Sequence, residues 1–426
     1  MLKILSNPSQ IVTVDTFGNN FKRGKEQRDL NVLIGYSLII EDDIIKDIVP
    51  DSSIKDIECD EIIDVKNKII LPGLVECHTH TVFSGSRSDE FRDKLKGISY
   101  EEIAMRGGGI NKTVNSVRNS SVNDLVDITS LRINYFITQG ITSLEIKSGY
   151  GLDFENEIKL LKVINYLNEK YPIDIVPTFL GAHTYPVEFK ENHQPYLKIL
   201  TDELLPFIAQ NNLAKFSDGF CESTAFSVIE LDKLFSKAKS LGLNLKFHSD
   251  QFNSLGGIDL ALKYNAVSVD HLEVINDLDI KKISSTDIVC VLLPGVSFFL
   301  NHQFAPARKL IDNNSIVALS TDFNPGSSNI SNLNLIMSLA ALKMGMTIEE
   351  TISAVTINAA KAIGLNKERG SIEIGKKADL AIFDTNDYSD IVYNVGKNLN
   401  YMTIKNGEII FLAEWNCLLK KLKIHI

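Results

Sequence analysis

Eight short apolar runs recur between residues 74 and 319, most of them separated by stretches with helical periodicity. They cover 74–77, 141–146, 173–179, 216–221, 243–247, 266–269, 288–293 and 316–319, with helices expected at 155–170 and 228–241. Such alternation commits a chain to a parallel sheet, because a parallel neighbour is reached only by a crossover. Eight units predict a closed (β/α)8 barrel of the TIM type, within an α/β fold, over residues 67–365. The longest apolar run, 288–300, is about half a membrane span. It holds Pro294 and Gly295 and reads as a buried strand with its exit loop.

The ends of the chain have a different rhythm. Residues 1–66 and 366–426 carry short alternating runs such as 10–14, 36–40, 378–383 and 403–410. Turn residues 41–43 mark a hairpin, and Asn406-Gly407 suits a tight two-residue turn. Each end is too small to bury a core alone, so the two are expected to form one small β-sandwich. The connection from 81 to 140 is oversized and contains Arg106-Gly107-Gly108-Gly109-Ile110, which marks it as functional.

Function is written in the placement of the histidines. The chain has eight, and His78, His80, His183, His248 and His271 fall at or just past the C-terminal ends of predicted strands. In a barrel those ends converge on one mouth. Asp322 follows the eighth strand at the same rim. His78 and His80 are two apart, so on a strand both imidazoles face the same side. With His248 and Asp322 they make a set of three imidazoles and a carboxylate. That set suits one zinc or iron (Fe2+/Fe3+) ion per subunit, with room left for a water.

Other properties narrow the class. A formal charge of −10 argues against nucleic-acid partners. No segment has the length of a membrane span, and residues 1–8 lack the apolar core of a secretory signal. The five cysteines show no CxxC spacing, and a cytoplasmic protein with reduced buried thiols is expected.

Residues 69–80, an apolar run, Pro72-Gly73, then His78-Thr79-His80, resemble the entry of the amidohydrolase superfamily into its barrel. Gly375-Lys376-Lys377-Ala378-Asp379-Leu380 resembles that superfamily's return into its β domain. Five further stretches, 78–87, 147–152, 179–183, 247–251 and 320–327, are similar to the branch that opens an imidazolone ring in histidine degradation. The resemblance implies hydrolysis of the ring C–N bond of 4-imidazolone-5-propanoate to N-formimidoyl-L-glutamate. It implies a metal held by His78, His80, His248 and Asp322, and substrate contacts from Arg87, Tyr150, His183, Gln251, Asn324, Gly326 and Ser327. It also implies a homodimer acting on a small molecule.

Asp322, His271 and His183 are the candidates for proton transfer and oxyanion stabilisation. Their division of labour stays open at this point. Gln251 stands where some superfamily members carry glutamate, and its amide cannot act as a base. The alternative is a related mononuclear amidohydrolase, such as a deaminase of guanine or cytosine type. Arg87, with a planar fork suited to a carboxylate, weighs against it. A two-metal variant bridged by Cys221 or Glu222, and a non-catalytic relative that keeps barrel and sandwich as an assembly module, are the other rivals.

Overall fold

The structure is a computed structural model that describes residues 1–98 and 108–413. The Arg106-Gly107 part of the glycine-rich motif and Cys417 lie outside the described residues. Parallel strands Leu74–Glu76, Ile141–Lys147, Asp174–Ala182, Phe216–Gly219 and Asn244–Leu245 form one ladder. His248–Ser249, Ser268–His271, Val289–Leu292 and Ile316–Leu319 form the next. Asn244–Leu245 and His248–Ser249 are two pieces of the same fifth strand, joined across by Lys246 N–H to Ser217 C=O and Asp270 N–H to Phe247 C=O. The eighth strand returns to the first through Asp322 N–H to His78 C=O at 3.1 Å and His80 N–H to Phe323 C=O at 3.0 Å. The expected (β/α)8 barrel is therefore present. Val289–Leu292 and Ile316–Leu319 are buried at every position, as strands sandwiched between helices and a filled barrel must be.

The outer helices follow from local chemistry. Val228–Ser240 starts where the Ser227 side chain accepts from Glu230 N–H and Glu230 reaches back, and it buries Leu231, Leu234, Phe235 and Ala238 along one stripe. Phe154–Lys170 starts at Asp153, whose carboxylate accepts the Asn156 N–H. Cutting Phe235 to alanine would remove a fully buried ring and cost about 3–5 kcal/mol. Residues 294–300, expected as a loop, form the helix Pro294–Leu300 instead. Proline at the helix start carries no N–H to leave unpaired, so it initiates the helix.

The chain ends build two sheets. Ile44–Pro50, Tyr36–Glu41, Leu2–Ser6 and Glu61–Asp64 form one. Glu408–Leu412, Asn400–Lys405, Leu380–Phe383, Ile69–Pro72, Gln10–Val12 and Val32–Leu33 form the other. Leu5, Ile11, Leu38, Ile40, Ile70, Leu380, Ile382 and Ile404 belong to one buried apolar cluster drawn from both. Ile69–Pro72, grouped by sequence with the barrel segment, runs through the middle of the second sheet, and the chain enters the barrel at Gly73–Leu74. Asp174, from the third barrel strand, meets Arg369 at 2.6 Å and Lys405 at 2.5 Å, and both cations also reach Asp379 at 2.7 Å. This cluster locks sheet to barrel.

Candidate metal centre and substrate pocket

His78 and His80 follow the first barrel strand, His248 lies in the fifth, His271 ends the sixth and Asp322 follows the eighth. All are buried. The His78 ring lies 4.5 Å from that of His248 and 5.6 Å from that of His80, centroid to centroid. Asp322 Oδ1 is 3.4 Å from His78 Nε2 and 3.2 Å from His80 Nε2. Ligand-type atoms of His78, His80 and Asp322 lie within 4.8 Å of one another, and so do those of His78, His248 and His271. The two groups share His78, and between them they hold all four expected ligands together with His271.

Hydrogen bonding decides which atoms face inward. His78 Nδ1 is 2.6 Å from Asp270 Oδ2, and His248 Nδ1 is 3.0 Å from Asp218 Oδ1. An N–H donated to each carboxylate leaves both Nε2 atoms as lone-pair donors. Those Nε2 atoms and Asp322 Oδ1 are buried without a hydrogen-bond partner. Stranding a buried polar atom costs about 1–3 kcal/mol, so three such atoms in the two clusters that share His78 fit a cation as the missing partner. The backbone is strained at the same place, with φ at 85° for His271 and 49° for Asp322. Positive φ is uncommon for such residues and clusters at functional sites.

Burial alone would raise the Asp322 carboxyl, but His78 and His80 hold it well below the usual range. Burial, and then the neighbouring His80, pull His183 down to about 3. His183 is therefore neutral, and Nδ1–H donated to Gly149 C=O at 2.9 Å leaves Nε2 as an acceptor. Burial opposes charge on His271, yet Glu273, 3.4 Å from its Nδ1, raises it above the ordinary histidine value.

The remaining expected contacts are placed as follows. Tyr150 is buried, its ring 5.7 Å from His80 and 5.4 Å from His183. Burial, reinforced by Asp322, keeps its hydroxyl protonated. Its loop is shaped by Gly149, at φ 101°, where a Cβ would come within 2.9 Å of Leu180 O and 3.1 Å of His183 Nδ1. Glu157 Oε1 and Oε2 accept the backbone N–H groups of Gly149, Gly151 and Leu152. Arg87 is paired through Nε with Glu90 at 2.8 Å, and its Nη1 lies against Gly326. The Asn324 side chain is engaged by its own loop, accepting from Gly326 N–H and Ser327 N–H at 2.8 Å and donating to Asp322 C=O at 2.7 Å. Ser327 Oγ lies 2.9 Å from Asn324 Nδ2. Gln251 lines a tight crevice with Phe252, Glu273, Ser297 and His302.

Neither candidate bridging group of a two-metal site is arranged for it. Glu222 accepts from Phe252 N–H, Asn253 N–H and the Asn253 amide, and burial pushes the Cys221 thiol up to about 12. Sequence reasoning missed a charged layer beneath the histidines, made of Glu145, Lys147, Asp218, Lys246 and Asp270. Its signal was available: charges at alternate positions within apolar strand segments, where a charge is buried only with a partner. Burial opposes the charge on Lys147, but Asp218 and Glu145 keep it protonated.

The amidohydrolase family matches residues 69–410. A barrel carrying this cluster at its mouth, and a match of that extent, show that the chain belongs to the amidohydrolase family. The chain is 42% identical to imidazolonepropionase of Clostridium tetani over 414 residues, 96% of this chain and 98% of that one. It is 41% identical to imidazolonepropionase of Flavobacterium johnsoniae over 411 residues, 96% of this chain and 100% of that one. Among solved structures it is similar to Escherichia coli guanine deaminase, with a TM-score of 0.73 and 14% identity over 97% of this chain and 100% of that one. It is also similar to a zinc-bound adenosine deaminase from Xanthomonas campestris, with a TM-score of 0.71 and 16% identity over 99% of this chain and 96% of that one. At such low identity the two deaminases support the fold alone. No helix among the described residues is long and apolar enough to cross a membrane.

Proposed function

We propose that the chain hydrolyses the ring C–N bond of 4-imidazolone-5-propanoate to N-formimidoyl-L-glutamate, as an imidazolonepropionase. The reading is carried by the buried, unpartnered His78 Nε2, His248 Nε2 and Asp322 Oδ1 at the barrel mouth of a chain so similar to imidazolonepropionases. His78, His80, His248 and Asp322 would hold one zinc or iron ion, which when bound would supply Lewis acidity and a water activated near neutral pH.

The protein's own groups supply the rest. Asp322 is ionised at neutral pH, so it accepts the proton of the attacking water and delivers it to the ring nitrogen as the C–N bond breaks. Water oxygen and one proton thus become part of the new carboxyl group, and the other proton ends on the released nitrogen. His271, whose protonated form Glu273 favours against burial, donates to the carbonyl oxygen as negative charge develops there. His183 Nε2 accepts a hydrogen bond from the ring or the water, and Tyr150 closes over the ring with its hydroxyl as donor. The Arg87 guanidinium, oriented by Glu90, takes the propionate carboxylate beside Gly326 and Ser327. Gln251 is a hydrogen-bonding contact only.

The test is the loss of imidazolone absorbance with purified, metal-replete protein, with guanine and cytosine as control substrates. Turnover of the imidazolone alone is expected. Deamination of guanine or cytosine without imidazolone turnover would overturn the assignment.

A further inference from the structure

Beneath the histidines, the Lys147 ammonium sits among three carboxylates that each hold a different part of the centre, and a second ammonium, Lys246 Nζ, flanks one of them, Asp270 Oδ2, at 3.6 Å. Glu145 and Lys147 are two apart on the second barrel strand and so share its inner face. Lys147 Nζ donates to Glu145 Oε1 at 2.7 Å and to Asp218 Oδ2 at 2.8 Å, and lies 3.9 Å from Asp270 Oδ2. Asp218 Oδ1 meets His248 Nδ1 and Asp270 Oδ2 meets His78 Nδ1. Glu145 grips the residue between the two leading histidines: its Oε2 accepts Thr79 N–H at 3.2 Å, and its backbone carbonyl accepts the Thr79 hydroxyl at 2.7 Å. The side chains of Glu145, Lys147, Asp218 and Asp270 are wholly buried.

We propose that Lys147 is the positioning residue of the metal centre. Through Glu145 and Asp218, and jointly with Lys246 at Asp270, it fixes the His78-Thr79-His80 backbone and the orientation of the His248 and His78 rings. The proposal rests on the metal-dependent reading above. Three carboxylates packed this closely repel one another unless cations lie among them; losing Lys147 would leave Glu145 without its ammonium and Asp218 with His248 but no ammonium, while Asp270 would keep His78 and Lys246. A lysine suits the place because one compact ammonium carries three donors that can point in different directions. Carboxylates that accept Nδ1–H from a ligating histidine set its tautomer and ring angle and raise its basicity. An ion pair that served only to hold the barrel together would change stability and leave the metal's affinity and ligand field alone.

The experiment measures Zn2+ affinity by chelator competition, and the visible spectrum of the Co2+-substituted protein, for wild type, Asp218→Asn and Lys147→Met. Asp218→Asn can still accept from His248 Nδ1–H and is expected to fold. Both variants should bind Zn2+ about 10- to 100-fold more weakly and show an altered Co2+ spectrum. If Lys147→Met does not fold, Asp218→Asn decides alone. Affinity within about threefold of wild type and an unchanged spectrum would overturn the proposal, even if stability fell. Asp322→Ala separates this outcome from failure of the metal reading itself. Retained Zn2+ there removes the metal centre, whereas lost Zn2+ there with unchanged Asp218→Asn removes only the role of Lys147.

Discussion

Gly326→Ala should damage substrate binding while leaving the protein folded. Gly326 is absent from the glycines with positive φ, so alanine can adopt its backbone conformation. A Cβ at this position would fall on Arg87 Nη1 and lie 3.1 Å from Arg87 Cζ. Carbon atoms rest about 3.5–4.0 Å apart, so the guanidinium has to retreat by roughly 0.5 Å or more at Cζ. Its Nε remains tied to Glu90 at 2.8 Å, which turns the retreat into a rotation of the Nη edge away from the substrate. The end of a flexible side chain yields easily, and the stability cost should stay near 1 kcal/mol. A guanidinium–carboxylate hydrogen bond contributes about 1.5–3 kcal/mol, equivalent to a loss of roughly 10- to 150-fold in kcat/KM. That loss should appear in KM, because the propionate lies away from the bond that breaks. Steady-state assays compare the propionate substrate with an analogue lacking the carboxylate. An unchanged KM for the former, or an equal loss with both, would refute the reasoning.

The other expectations concern the metal, a loop and pH. His248→Ala should abolish turnover and leave the purified protein depleted of metal, checked by elemental analysis; stoichiometric metal with full activity would remove His248 from the centre. Glu157→Ala strands the buried N–H groups of Gly149, Gly151 and Leu152 and should cost about 3–5 kcal/mol in denaturant unfolding. It should also raise KM through the Tyr150 loop, and a cost below about 1 kcal/mol would show that the loop is held by other contacts. Burial opposes charge on Glu350, but hydrogen bonds from Arg308, Thr347 and Arg28 hold its carboxyl below the usual value. A depressed carboxyl stabilises the fold above its unfolded pKa and ceases to as pH falls through the folded one. Glu350→Gln should therefore cost about 1–2 kcal/mol at neutral pH, since its partners are partly exposed, and the difference should shrink in acid. A difference independent of pH would point to packing instead.

The eight barrel strands and the histidines at their ends were legible because both are local patterns. An apolar run signals a strand wherever it occurs, and two residues apart on a strand share a face, as His78 and His80 do. The helix expected at 228–241 was equally local, and it forms at Val228–Ser240. The helix Pro294–Leu300 was misread because its apolar residues look the same in a buried strand, loop or helix. Ile69–Pro72 was misplaced for a related reason: its pairing partners, Leu380–Phe383 and Gln10–Val12, lie far off in the chain.

Local pattern alone determined the barrel, the mouth on which the ligands gather and the set of donors offered to a cation. Tertiary structure decided which atoms of those donors stay available, since Asp218 and Asp270 occupy one nitrogen of His248 and His78 and leave the other without a partner. It also gave Glu145 and Lys147 their purpose, bound Arg87 to Glu90 and turned the Asn324 side chain into the brace of its own loop. The physical reason is range. Strand and helix preferences act over a few residues, whereas hydrogen bonds and charges in a dry interior are settled by neighbours that only the closed barrel brings together.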